Sequence, residues 1–180
     1  MQKSSVENDV LEDLKYIFQN VNNWLNFAEL KNGALLVFSS GVILARFQIR
    51  YCNSVLIYSI LNVISIVSIL LGILLSALSF SPKINKVKVK VKKTDIGKNL
   101  IFFNDIMQYK SSDEYLKDIY INYYQLDVNI SDLNSKEKHL AEEIFENSKI
   151  TFKKYNLFKW ALRFSLLGII LLTFIMIKLG

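Results

Sequence analysis

From Val55 to Phe80 the chain reads VLIYSILNVISIVSILLGILLSALSF, 26 residues without a charge. At ~1.5 Å of helical rise per residue this run more than crosses a ~30 Å hydrocarbon core. A soluble core helix of that length is exceptional, so the pattern predicts a transmembrane helix. Asn62 is its one strongly polar side chain, and an unpaired amide in lipid is costly, so Asn62 is expected to face another helix. Gly33 to Ala45, GALLVFSSGVILA, is a shorter apolar block closed by Arg46. Extended back to Phe27 and on to Ile49 it reaches spanning length, with Lys31 and Arg46 snorkelling from its two ends. Its small residues Gly33, Ser39, Ser40 and Gly41 admit close approach of another helix. A third block runs from Phe164 to Ile177, extended backwards through Trp160, Ala161 and Leu162, with Lys159, Trp160 and Arg163 as an interfacial anchor. The pattern predicts a mainly α integral membrane protein with three transmembrane helices, the first two within 33–80 and the third within 159–180.

The polar stretches are patterned too. Within 1–32, Leu11, Leu14, Phe18, Val21, Leu25 and Ala28 follow 3-4 spacing, the narrow apolar seam of an amphipathic helix. Glu7, Asp9, Glu12 and Asp13 sit near its start, where the helix dipole favours acids. An acidic exposed face argues for docking on other protein helices rather than for lying on a bilayer. Residues 81–158 form a small module, too short for a large independent core. Asn99 to Gln125 reads as a helical pair: Leu100, Ile101, Phe102, Phe103, Ile106 and Met107 come first, and Ser111-Ser112 then caps a helix opening on Asp113-Glu114-Tyr115. From Ser135 to Ile177 there is no proline, and Asn134 with Glu137 forms a capping-box-like start. One continuous helix from the module into the third span is expected; a break near Asn156 is the alternative. Lys86 to Lys92, KVKVKVK, alternates strictly and reads as a strand, with Gln125 to Ile130, QLDVNI, as a possible β partner. Its lysines either hold anionic headgroups or are a solvated face and topology signal.

Composition and charge sharpen this picture. The chain is 52% hydrophobic with a net charge of +6 and a mean hydropathy of +0.26, which excludes disorder. A single cysteine, Cys52, and a single histidine, His139, exclude an intramolecular disulfide and a Cys/His zinc site. The acidic, polar first stretch does not read as a cleavable secretory signal. The basic residues set an orientation: the tail to Lys31 holds three lysines, the turn after the first span holds Arg46 and Arg50, and Ser81 to Arg163 holds 16 Lys and Arg. The positive-inside bias places the tail and 81–158 in the cytoplasm and the C-terminus outside.

No catalytic constellation is present: there is no P-loop, no Gly-rich dinucleotide turn, no HExxH and no GxSxG. His139 lies in SKEKHLAEE at an exposed-looking helix start and reads as a surface residue rather than a general base. Asp95, Asp105, Asp113, Glu114 and Asp118 are explained by a solvated face and caps more simply than by a metal. The chain therefore reads as no enzyme, with no cofactor and no nucleic-acid partner. What remains is binding. Phe102, Phe103, Tyr109, Tyr115, Tyr120, Tyr123, Tyr124 and Tyr155 stand near Lys110, Lys149, Lys153 and Lys154 in sequence, and aromatic faces with ammonium groups suit an anionic ring compound such as a nucleotide. The competing reading is that aromatics at helical spacing form the core.

Three blocks resemble the transmembrane effectors of bacterial Pycsar antiphage systems, the Pycsar effector domain family. They are FAELKNGALLVFSSGVI at Phe27–Ile43, LIFFNDIMQYKSSDEYLKDIY at Leu100–Tyr120 and EEIFENSKITFKKYNLFKWA at Glu142–Ala161. The similarity covers most of the chain from about Phe27 onward and lies in the order of the blocks and the placement of the spans. KVKVKVK departs from the family pattern. The resemblance implies that a partner cyclase makes cyclic CMP or cyclic UMP on phage infection. The effector senses it and impairs the inner membrane, so that infection aborts. It also implies binding without catalysis. Since three spans do not readily enclose a pore, a homo-oligomer in the lipid bilayer is expected. Phosphate candidates are Lys149, Lys153 and Lys154. Stacking candidates are Phe102, Phe103, Tyr109, Tyr115 and Tyr155, while Asn147 and Glu143 are candidates to read base edges. Of these, Phe102, Phe103, Tyr115, Asn147, Lys149 and Tyr155 match family positions. Lys31, Arg46 and Asn62 are candidates for gating. Two rival readings stay open: an effector of the same architecture answering a cyclic oligonucleotide, and a ligand-independent, holin-like membrane toxin.

Overall fold

The computed structural model describes residues 2–48, 56–81 and 99–179. Five α-helices carry the fold: α1 (Gln2–Gln48), α2 (Leu56–Leu78), α3 (Phe103–Ile106), α4 (Ser112–Tyr124) and α5 (Ser135–Leu179), with a 3-10 turn at Ile130–Asp132. Three of them, α1, α2 and α5, are long and apolar enough to cross a membrane. α5 is unbroken through Asn156 and Gly168, so the continuous helix is realised and the break is not.

The predicted caps form. Asn134 Oδ1 accepts from the Lys136 N–H at 3.0 Å, while the Glu137 carboxylate accepts from the Asn134 N–H, which together satisfy orphan donors at the start of α5. Ser111 Oγ accepts from the Glu114 N–H at 3.2 Å, and Glu114 Oε2 accepts from the Lys110 N–H at 2.7 Å. The helix expected over Leu100–Met107 shrinks to the single turn of α3. Asn99 Oδ1 accepts from the Ile101 N–H and Asp105 Oδ2 accepts from the Asn99 N–H, side-chain bonds that compete with a helix start.

The β pair needs correction. Gln125 to Ile130 holds no strand: Gln125 adopts a left-handed φ of 56° that closes α4, with the Leu126 N–H donating to Tyr120 O. Alternation without a paired neighbour leaves such a segment as loop, and among the described residues no strand exists. Lys86–Lys92 lies outside the described residues.

The chain divides into two compact units, and α1 and α5 each contribute to both. The first comprises Met1–Phe27 and Lys83–Lys153, the second Ala28–Pro82 and Lys154–Gly180. The first unit has an aromatic and aliphatic core. α1 gives Val10, Leu14, Ile17 and Val21, α4 gives Tyr115, Leu116 and Ile119, and α5 gives Ala141, Ile144 and Phe145. The buried seam of α1 runs through Val10 and Ile17 where the sequence pattern favoured Leu11 and Phe18, which are only half-buried. Both choices satisfy 3-4 spacing, and which neighbour faces inward is decided by the partners on α4 and α5.

The second unit buries many small residues beside a short apolar cluster of Ile43, Ile69 and Leu172. Ser39, Ser65, Ser68, Gly72, Ser76, Ala161, Ser165 and Gly168 are buried, while Val37, Phe38, Val67, Leu70, Leu74, Leu167, Ile170 and Phe174 are exposed. Ser39 Oγ donates to Ser165 Oγ at 3.0 Å, and Ser65 Oγ donates to the Gly168 carbonyl at 2.7 Å. A Cβ on Gly168 would stand 2.7 Å from Ser65 O, and one on Gly72 would collide with Ser165 Oγ, so α2 and α5 meet backbone to backbone. Of the small residues expected to admit a helix, Gly33 lies against Phe80 and Ser39 against Ser165, whereas Gly41 has nothing within 4 Å of a built Cβ. Asn62 does face another helix: its Oδ1 accepts from Arg46 Nε at 2.9 Å.

Candidate functional site

The first unit holds an open-sided cavity of about 550 Å³, lined by Val6 and Glu7 of α1, Tyr120 and Tyr124 of α4, Leu126 and Val128 of the following loop, and Leu133. Such a volume suits a small organic molecule. Tyr120 and Tyr124 are one helical turn apart, with ring centroids 6.2 Å from each other, so both present to the same side of α4. The left-handed turn at Gln125 then swings the chain back, and the two-residue period of the loop directs Leu126 and Val128 into the same space.

Both tyrosines are pinned by carboxylates. Tyr120 Oη donates to Glu137 Oε2 at 2.9 Å, and Tyr124 Oη donates to Asp13 Oδ2 at 2.8 Å. Burial first, and the acceptor carboxylates second, hold both hydroxyls well above the ordinary tyrosine range, so they stay protonated donors. Glu137 itself is only 1% exposed. Burial pushes its carboxyl up from the usual glutamate value, an effect opposed by the Tyr120 hydroxyl and the Asn134 N–H and reinforced by the charge of Glu7. Glu7 lines the cavity without a hydrogen bond or ion pair among the described residues.

None of the ten residues picked from the sequence lines this cavity, and they fall into separate groups. Phe102 and Phe103 form an aromatic cluster with Trp24, at centroid distances of 6.1 and 5.9 Å. In the same unit, Asn147 Nδ2 donates to Asn22 Oδ1 at 2.9 Å. Tyr109 and Tyr115 pack edge to face at 5.4 Å. Tyr115 is wholly buried and donates to Leu100 O, and Tyr109 donates to Asp118 Oδ2. Both rings are buried in the first unit. Lys149 pairs with Glu146 at 2.8 Å and lies 3.8 Å above the Phe145 ring. Lys153 and Glu143 are exposed. Lys154 and Tyr155 belong to the second unit, where Lys154 pairs with Glu29 and Lys31 stands 5.4 Å over the Tyr155 ring. His139 is exposed on α5, and among the described residues no three His, Cys, Asp or Glu side chains gather in a way that would hold a metal.

The cavity residues left partial signals. Tyr120 and Tyr124 have i, i+4 spacing, and Leu126 and Val128 alternate, but the alternation reads equally well as a strand. Val6 and Glu7 precede the seam and carried no signal of their own.

Three helices fit to cross a membrane, together with a helical unit that holds a cavity, define a membrane protein. The match to known families makes this specific: residues 13–179 match the Pycsar effector protein domain, and the chain belongs to that family. Membership makes it an antiphage defence effector within cyclic-nucleotide signalling. No curated protein and no solved structure matches it.

Proposed function

We propose that this chain senses a cyclic pyrimidine mononucleotide, cyclic CMP or cyclic UMP, through its first unit and impairs the bacterial inner membrane through its second, aborting infection. The observation that carries the reading is the continuity of α1 and α5, each a single helix contributing to both units. A ligand shifts a conformational equilibrium only by binding one state better. Helices without a break give such a bias a rigid route from the module to the apolar segments. The module and the N-terminus are cytoplasmic in this reading, and the C-terminus is periplasmic, as the basic residues direct. Three helices per chain do not readily enclose a pore, so the active form is a homo-oligomer. No bond is made or broken by the protein.

The test is a titration of cyclic CMP and cyclic UMP on the purified full-length protein, paired with membrane-potential measurements in cells expressing it. Saturable binding of either nucleotide is expected, with depolarisation only when the nucleotide is supplied. Depolarisation unprompted would identify a ligand-independent toxin, and binding of a cyclic oligonucleotide in place of the mononucleotides would move the protein to another signalling branch. Consumption of the nucleotide would make it an enzyme. Any of these overturns the reading.

A further inference from the structure

The walls of the first-unit cavity offer a ligand an unusual set of groups. Two tyrosine rings and aliphatic side chains provide flat, apolar surface suited to stacking and covering a nucleobase. The polar complement is one-sided. Each tyrosine hydroxyl has a single proton, and both protons are already donated, to Glu137 and to Asp13. Glu7 stands in the wall without a partner among the described residues, and an ionised carboxylate only accepts hydrogen bonds. The cavity therefore holds out an acceptor and no spare tyrosine proton.

Resting on the cyclic-nucleotide reading above, we propose that this cavity is the base pocket and that Glu7 makes it select cytosine over uracil. Cytosine presents an exocyclic amino group, two N–H donors that a carboxylate accepts well. Uracil presents one donor, N3–H, between two carbonyl oxygens. A carboxylate oxygen that accepts from N3–H brings its twin against one of those carbonyls, so the pairing is partly repulsive. Charge also sets the direction of insertion. Glu7 lines the pocket and Asp13 and Glu137 stand at the hydroxyls of its two tyrosines, carboxylates that repel the cyclic phosphate. The neutral base enters and the phosphate stays toward solvent, where the repulsion is screened. This site is distinct from the lysine-centred one picked from the sequence.

The experiment titrates cyclic CMP and cyclic UMP separately against the full-length protein, Glu7→Gln and Leu126→Trp. Wild-type protein is expected to bind cyclic CMP about tenfold or more tighter than cyclic UMP, the ratio that one hydrogen bond to a charged acceptor confers. Glu7→Gln offers a donor as well as an acceptor, and the ratio is expected to fall to within about threefold. Leu126→Trp fills the cavity and is expected to weaken both nucleotides by about tenfold or more. Leu126 is 42% exposed, so the larger side chain is tolerated there, and unchanged helical circular dichroism checks it. If helicity is lost, the wild-type ratio and Glu7→Gln decide alone. Equal affinities, a preference for cyclic UMP, a ratio unmoved by Glu7→Gln or wild-type affinity in a folded Leu126→Trp each overturn this proposal and leave the sensing function standing. If neither nucleotide binds the wild-type protein, both fall together.

Discussion

The two units of this chain bury different mixtures of side chain. In the first, Leu14, Ile17, Tyr115, Leu116, Ile119 and Ile144 are withdrawn from the surface, and Glu137 is the one acid buried with them among the described residues. Water drives that arrangement, because apolar burial is favourable only when the alternative is aqueous. In the second, serines and glycines are buried beside a small apolar cluster of Ile43, Ile69 and Leu172, while Phe38, Leu70, Leu74, Ile170 and Phe174 are exposed. Lipid is as apolar as leucine, so burying a leucine there gains little. Close backbone packing and interhelical hydrogen bonds hold the helices together in its place. One helix, α5, follows both rules along its length: Ala141, Ile144 and Phe145 serve the first, Ala161, Ser165 and Gly168 the second. Within each unit these positions keep 3-4 spacing, while the size and polarity of the residues differ.

That contrast can be broken from either side. The largest effect is expected from Gly168→Leu, since its side chain has no space beside Ser65 O and Ile69, and separating α2 from α5 removes the packing of the whole unit. A loss upwards of about 4 kcal/mol is expected, read as a collapse of the thermal transition followed by Trp160 fluorescence. Gly41→Leu, where nothing stands within 4 Å, should leave that transition in place, which shows that volume at the interface and not glycine content is what matters. Next in size is Ile144→Ala in the aqueous-type core, at about 3 kcal/mol, followed by Trp24 fluorescence in a Trp160→Phe background. Were the first unit held together by close approach as the second is, this substitution would be nearly silent.

The smallest effect concerns Glu137. Its folded-state pKa lies above the ordinary value of 4.5, so the folded unit holds that proton more tightly than the unfolded chain does. The stability it contributes is present at low pH and is lost as pH rises through the raised value. Glu137→Gln keeps an acceptor for Tyr120 and is expected to flatten the decline of the Trp24 transition as pH rises above the ordinary glutamate value. An unchanged pH slope would mean that another carboxylate carries it.

Local rules carried the legible part of this structure. A charge-free run announces α2, the absence of proline announces an unbroken α5, and Ser111, Asn134 and Glu137 announce their caps, because each of these depends on neighbours within one turn. The single polar residue of α2 also gave itself away: Asn62 bonds Arg46 because nothing in lipid would satisfy it. Long-range facts were illegible. Lys154 meets Glu29 and Asn147 meets Asn22 across 125 positions of sequence, and no spacing rule reports such pairs. The burial of Tyr109 and Tyr115 was illegible too, because burial leaves no mark on a tyrosine's identity. The cavity was hidden for a further reason. Its loop wall shares the alternation of a strand, and only the left-handed turn at Gln125 turns that alternation inward.

The backbone-to-backbone meeting of α2 and α5 carries a consequence for how this sequence can drift over generations. At Gly72 and Gly168 even one added methyl displaces main-chain atoms or Ser165, so those two sites should stay fixed in descendant chains. Outward-facing positions such as Leu70, Leu74, Ile170 and Phe174 can exchange freely among greasy residues.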